Sequence, residues 1–200
     1  LKGICLWAFC LLMKIILEHK YTGILIERKD GNGVNDMEQV QHEIPPLFNE
    51  HSKILILGSF PSVKSREGHF FYNHPQNRFW RVLAAEMGQE TPQTIPEKQE
   101  FLLKNGIALW DVIASCEIEG SSDSSIRNVV PNDIRPILEK ADIRQIYVNG
   151  GTAEKLYKKY IFPVSGRAAV RLPSTSPANA ACSLEKLIEQ WKVIGECLGE

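Results

Sequence analysis

One stretch of this chain limits the folds open to it more than any other. From Ile54 to Trp80 it reads ILILGSFPSVKSREGHFFYNHPQNRFW. The short apolar run Ile54–Leu57 reads as a buried strand, and it stops at a small-residue turn, Gly58-Ser59-Phe60-Pro61-Ser62. A buried strand ending in such a turn fits a parallel sheet, whose ligands lie outside the carboxyl ends of the strands. Phe70, Phe71 and Tyr72 follow in a loop, and Asn77 stands just before an apolar helical pattern that opens at Phe79 and Trp80. Flat rings beside one amide at that edge imply a pocket that grips something planar.

The rest of the chain repeats the alternation. Apolar runs at Lys53–Leu57, Ile107–Trp110, Ile143–Val148 and Ala168–Leu172 read as strands. Helical patterns cover Arg78 to Met87, Thr94 to Gly106, Asp133 to Lys140, Ala153 to Tyr160 and Leu184 to Cys197. Thr94-Ile95-Pro96-Glu97 is a capping box with proline in the first turn, and Asn132 and Ser183 stand where N-caps belong. Leu184, Leu187, Ile188, Trp191, Ile194 and Leu198 share one helical face. Strands alternating with helices predict a parallel sheet covered on both sides. Its site loops are then Gly58–Asn77, Asp111–Ser125, Asn149–Gly151 and Pro173–Asn179, gathered at one edge. Within them Gly120–Ser125, a Gly-Ser-Ser-Asp-Ser-Ser run, reads as a mobile surface loop.

Taken in order, LILGSFPS with FYNHPQNRFW, then GIALWDVI with GSSDSSIRN, then LPSTSPANA resemble the uracil-DNA glycosylase superfamily. Within it the likeness is to the hypoxanthine-DNA (deoxyinosine) glycosylase branch, over about Ile44 to Leu198. The resemblance implies an α/β fold of three αβα layers around a central four-stranded parallel sheet. It also implies a monofunctional enzyme of base excision repair that hydrolyses the N-glycosidic bond of deaminated bases in DNA, chiefly hypoxanthine. A uracil or broad deaminated-base glycosylase, or a DNA-binding relative without catalysis, is the alternative. The expected partner is double- or single-stranded DNA holding such a base, and the expected protein is a cytoplasmic monomer without a membrane segment.

Breaking a base–sugar bond asks for a water held near the sugar carbon, hydrogen bonds to the departing base and exclusion of bulk solvent. Asn77 is the candidate to hold the water, in the place where the resembling branch has its key asparagine. As an alternative or an added job, it caps the helix that follows. Ser59 and Phe60, where other branches carry Asp or Asn, offer backbone amides to the base or the water. Phe71 or Tyr72 would stack on an extruded base, while at least one of the three loop aromatics only fills the core. Asp111 departs from relatives that place an asparagine there. A carboxylate accepts from the ring N–H of hypoxanthine and repels the bare nitrogen of adenine; otherwise it caps a turn or pairs with an arginine. Asn149 lines the pocket floor or allows a tight turn with Gly150. For DNA contacts the candidates are Ser62, Lys64 and Arg78 on the first loop and Ser174, Thr175, Ser176 and Asn179 on the last. Leu172 stands where several relatives carry a histidine, so that loop offers none to the leaving base. No lysine occupies a recognisable nucleophile position, so water is the expected nucleophile.

Composition adds limits. The chain has 200 residues, 44% apolar and 24% charged, with a formal net charge of −1, which suits one globular domain and leaves only a local groove for DNA. Lys64, Arg66, Arg78, Arg81, His69 and His74 crowd near the first loop. Cys5, Cys10, Cys116, Cys182 and Cys197 follow no zinc or iron–sulfur spacing, so reduced thiols and no metal or other cofactor are expected. His51, His69 and His74 read as plain surface residues. Residues 1–36 read as an extension, poorly ordered or not native, with Met37 as the expected start. Within it Ile4–Ile16 is apolar but too short and interrupted to span a membrane. Residues 37–200 are the expected glycosylase domain.

Overall fold

The computed structural model of the chain describes residues 38–199. The expectations for residues 1–36, including the apolar run Ile4–Ile16, and for Met37 lie outside them. Seven strands follow in order: β1 (Glu38–Gln41), β2 (Ile54–Gly58), β3 (Ile107–Asp111), β4 (Ile113–Ile118), β5 (Arg127–Pro131), β6 (Gln145–Asn149) and β7 (Ala169–Leu172). They form two sheets. The larger is all parallel, in the order β3-β2-β6-β7. Its strands fall within a residue or two of the four apolar runs read from the sequence.

The centre of that sheet shows why a continuous apolar run is needed. Along β2, Ile54 and Ile56 enter one core cluster and Leu55 and Leu57 the other, one on each face of the sheet. All four are fully buried. Burying each such side chain contributes about 1.5–3 kcal/mol. The first face is covered by three helices, Phe79–Glu86, Ile95–Lys104 and Leu184–Trp191, through Phe79, Leu83, Leu102, Leu187 and Trp191. The second is covered by helices Arg135–Lys140 and Gly151–Leu156, through Ile137 and Ala153, and also by Cys116 and Ile118 of β4. The fold is the three-layer αβα arrangement, with part of one outer layer built from strands.

Local chemistry sets the helix ends. Thr94 and Glu97 form the capping box, with Pro96 in the first turn. The Glu97 carboxylate accepts the backbone N–H groups of Thr94 and Gln93, which hold its pKa below the ordinary value. Ser183 Oγ accepts from Lys186 N. Three helices differ from the sequence expectation. Asn132 caps nothing: its side-chain amide donates to the carbonyls of Asp111 and Ile113, at 2.9 and 3.0 Å. Asp133 Oδ1 accepts from Arg135 N instead, at 3.0 Å. The helix from Gly151 passes through a π-turn at Tyr157–Ile161 and runs on as Phe162–Ser165, ending at Gly166 in the left-handed region. The last helix is broken into Leu184–Trp191 and Val193–Gly199, and at the break the Tyr147 hydroxyl donates to the carbonyl of Val193.

The second sheet, β1-β4-β5, is antiparallel. The stretch Asp111–Ser125, expected as a site loop, contains β4 instead. Its cause is visible in the pairing. β4 starts straight after β3, because Val112 N and Ile113 N donate to the carbonyls of Gly58 and Ser59 on the exit of β2. Its register with β5 shifts between Ile113 and Ser115 and again between Ser115 and Glu117, so no regular apolar alternation survives to be read.

Candidate active site

The carboxyl ends of β2, β3 and β6 and the loop after β7 open onto one cavity of about 580 Å³, within the range of small-ligand sites. It sits where the chain leaves β2 for β3 on one side and β6 on the other, the switch point of an open parallel sheet. The turn after β2 supplies Gly58, Ser59, Phe60 and Ser62. The following loop supplies Phe71, Tyr72, His74 and Asn77, and β3 and β6 contribute Asp111 and Asn149.

Asn77 lines this cavity half-buried. Its Oδ1 accepts from Phe79 N at 3.0 Å, so it also satisfies an orphan donor at the start of the helix. The carbonyl keeps a second lone pair, and among the described residues Nδ2 makes no hydrogen bond. Capping therefore fixes the side chain without using up its polar atoms.

The loop aromatics divide their work. Phe70 is buried against Trp80, ring planes 17° apart, and does not line the cavity. Phe71 is 3% exposed and is both core and cavity wall. Tyr72 lies in the left-handed region with φ of 50°, a strained place for an aromatic residue. Its ring is stacked on Phe79 with centroids 3.8 Å apart, which holds it there. One face of Tyr72 is thus already taken. Its hydroxyl is buried with no hydrogen-bond partner among the described residues. Burial, and then the nearby charge of Asp111, pushes its pKa up, so it stays a neutral donor.

Asp111 ends β3 with 4% of its surface exposed. It neither caps a turn nor pairs with an arginine: its Oδ2 lies 2.8 Å from His42 Nε2. The other oxygen lies over β2. A Cβ on Gly58 would come within 2.1 Å of Asp111 Oδ1 and 3.0 Å of the Tyr72 hydroxyl, so glycine leaves the space over β2 that the carboxylate and the phenol occupy.

Asn149 is locked at the floor. Its Oδ1 accepts from Thr175 N at 3.0 Å and its Nδ2 donates to Thr175 Oγ1 at 2.9 Å. Thr175 is fully buried, so of the three loop residues Ser174, Thr175 and Ser176 it is not free to meet a phosphate. Arg78 also departs from its expected job of touching DNA. Its guanidinium donates to the carbonyls of Thr175, Ser176, Asn179 and Cys182, clamping the loop after β7 from inside. Asn179 donates to Ser174 O within that loop and does not line the cavity. Ser62 lines the cavity but its hydroxyl caps the short helix Val63–Glu67 by accepting from Ser65 N. Lys64 stands outside, exposed and 2.8 Å from Glu67.

Two residues bear on the site that the sequence did not single out, Asp123 on the cavity wall and His42 behind Asp111. His42 follows β1 and had no distinguishing sequence signal, since it sits in a polar segment. Asp123 lies in the Gly-Ser run expected to be a mobile loop. That run is tethered: Ser59 Oγ donates to Asp123 Oδ1 at 3.1 Å, Val63 N to Ser121 Oγ at 2.9 Å, and Arg66 to the carbonyl of Gly120 at 3.3 Å. Asp123 lines the cavity, where crowding by protein raises its pKa although the residue keeps solvent contact. A single carboxylate flanked on both sides by serines was the signal available for it.

Among the described residues no group of histidine, cysteine and carboxylate side chains could hold a metal, and no helix is long and apolar enough to cross a membrane. Cys116, Cys182 and Cys197 are free, and burial pushes the Cys116 thiol up to about 11.

A cavity walled by aromatics, amides and two carboxylates at the carboxyl edge of a four-stranded parallel sheet defines a class. The family description of the uracil DNA glycosylase superfamily matches residues 45–194, and the chain belongs to that superfamily. It is similar to a protein named hypoxanthine DNA glycosylase from Methanosarcina acetivorans, 34% identical over 157 residues, covering 78% of this chain and 98% of that one. A protein of the same name from Methanosarcina barkeri is 32% identical over 136 residues, with 68% and 85% covered. Among solved structures, an NMR structure described as a candidate uracil DNA glycosylase from M. acetivorans superposes with a TM-score of 0.64 at 31% identity, covering 76% of this chain and 96% of that one.

Proposed function

We propose that the chain is a monofunctional DNA glycosylase that releases hypoxanthine from deoxyinosine in DNA by hydrolysis. The relatives named for that activity support the substrate, and the superfamily supports the reaction. The observation that carries the mechanism is the side chain of Asn77, fixed by its own capping bond on the wall of the cavity that Asp111, Phe71 and Tyr72 also line.

The deaminated nucleotide leaves the stack and its base enters this cavity. Phe71 and the turn at Phe60 replace the lost stacking. Asp111 accepts from the ring N–H of the base. The free lone pair of Asn77 aims a water at the sugar carbon; as the base–sugar bond breaks with its electron pair going to the base, the water oxygen bonds to that carbon and the proton it sheds ends on the released base. The leaving base carries negative charge, which backbone N–H groups of the Ser59 turn and the neutral Tyr72 hydroxyl are placed to receive. Among the described residues no lysine lines the cavity, which fits water rather than an amine as nucleophile. Ser62, Ser174 and Ser176 at the cavity, with exposed Lys64 beyond, form the phosphate-contacting rim. The enzyme acts as a monomer on double- or single-stranded DNA.

A broader specificity has one observation in its favour. Uracil, like hypoxanthine, presents a ring N–H beside a carbonyl, and a carboxylate accepts from either. Duplexes carrying a single deoxyinosine, deoxyuridine or deoxyxanthosine separate the readings by base release. Asn77→Ala is expected to slow release by about 10²–10³-fold with binding to abasic DNA retained. A folded Asn77→Ala that releases base at the parent's rate removes Asn77 from the chemistry, and a parent that releases none of these bases overturns the proposal.

A further inference from the structure

We propose that His42 is a positioning residue for base selection: its imidazole fixes the Asp111 carboxylate so that one oxygen is left to accept from a 6-oxopurine ring N–H. This rests on the glycosylase reading above and adds to it a residue that lies before the matched segment 45–194.

The pair is built rather than incidental. His42 Nε2 and Asp111 Oδ2 are 2.8 Å apart, with side chains 1% and 6% exposed. His42 continues the pairing of β1 beyond its last residue, its N–H donating to Ala114 O at 2.7 Å, so backbone bonds set the position of the ring. Around the imidazole stand Phe60, Phe71 and Trp110, with centroids 6.0, 6.2 and 6.3 Å away. Nδ1 is buried and has no partner among the described residues. The one polar contact of this side chain is therefore the carboxylate. An ionised carboxylate only accepts, so Nε2 carries the hydrogen and donates to Oδ2.

The consequence falls on Oδ1. A carboxylate free to turn offers either oxygen in several orientations and pairs with whatever donors reach it. With Oδ2 held by His42, Asp111 presents Oδ1 alone, close over Gly58 and beside the Tyr72 hydroxyl. A lactam base presents an N–H to that oxygen. Adenine presents a bare acceptor nitrogen, which the carboxylate repels and which leaves a buried polar group unpaired. Phe60 and Phe71, which wall the cavity, are also the rings that cage His42. The residue that fixes the selecting carboxylate thus comes from the antiparallel sheet, while the carboxylate itself ends β3 of the parallel one.

The test uses the full chain, its His42→Phe and His42→Gln variants and Asp111→Asn. Single-turnover release from deoxyinosine duplexes is measured beside affinity for abasic-site DNA and the thermal midpoint. His42→Phe is expected to slow hypoxanthine release by about 10²-fold, the usual effect of a misplaced catalytic contact, with abasic-DNA affinity unchanged. His42→Gln, whose amide N–H can take the place of Nε2, is expected to recover most of that loss. Asp111→Asn is expected to be at least as slow as His42→Phe. A folded His42→Phe at the parent's rate, or a Gln variant as slow as Phe, overturns the proposal. Should His42→Phe not fold, His42→Asn replaces it: its shorter amide is expected to leave Asp111 loose and release slow, and rates equal to those of Gln would overturn it. A parent inactive on every duplex defeats the glycosylase reading and this one together, whereas an active parent with indifferent His42 variants defeats only this one.

Discussion

The two sheets of this protein are built on opposite terms. In the parallel sheet every residue of β2 is buried, and its neighbours Ile107–Leu109 and Ile146–Val148 are buried as well. In the antiparallel sheet β5 is an edge strand that ends in Pro131 and keeps Arg127, Asn128 and Val130 exposed, as edge strands tolerate. The first sheet lies between the two core clusters and carries Asp111 at the end of β3. The second gives Ile113, Cys116 and Ile118 of β4 to one of those clusters and brings His42 to Asp111, while its outer strand β5 stays largely exposed. Burial is therefore shared unequally between the centre of the parallel sheet and the edge of the antiparallel one.

The sharpest way to break this division is to truncate one residue in each sheet. Ile56→Ala, at the centre of β2, is expected to cost about 2–5 kcal/mol in urea unfolding. Val130→Ala, 54% exposed on β5, is expected to cost well under ~1 kcal/mol. Similar costs for the two would show that the antiparallel sheet is as much a part of the core as the parallel one. An intermediate effect is expected at the loop after β7. Arg78→Ala removes donors from the carbonyls of Thr175, Ser176, Asn179 and Cys182 and is expected to cost about 2 kcal/mol. Base release should fall as well, since Thr175 holds Asn149. Lost stability with unchanged release would separate that loop from the site.

The smallest effect is expected just past β5. Arg135 donates to the Asp133 carboxylate at 2.7 Å, and these bonds lower the Asp133 pKa from 3.8 to about 2. A lowered folded-state value means the contribution is present above the unfolded pKa and is lost as pH falls through the folded one. Both side chains are well exposed, so Asp133→Asn should cost only a few tenths of ~1 kcal/mol near neutral pH. The difference from the parent should shrink as pH falls below about 4 and vanish only below pH about 2, which thermal melts across that range would check.

Much of this is legible in the sequence. Continuous apolar runs gave the strands of the parallel sheet, because a strand buried on both faces must be apolar at every position. Thr94 to Glu97 announced its helix, because capping is settled by neighbours in sequence. Ser59, Phe71, Tyr72, Asn77, Asp111 and Asn149 do share one cavity. The sequence did not mark Arg78 as an inward clamp, since a guanidinium in a loop looks the same whether it faces DNA or four carbonyls. Nor did it mark β4, whose bulges erase the period-two pattern.

The layered parallel architecture and the edge at which the site lies follow from the order of residues alone, because burial on both faces and helix capping are short-range demands written in consecutive residues. What Asp111 faces depends on the packing of the whole chain. His42 and Asp111 are separated by 69 positions, and what joins them is a backbone pairing between strands whose composition is ordinary. A hydrogen bond between distant residues depends on where whole strands are placed, and no local pattern records that.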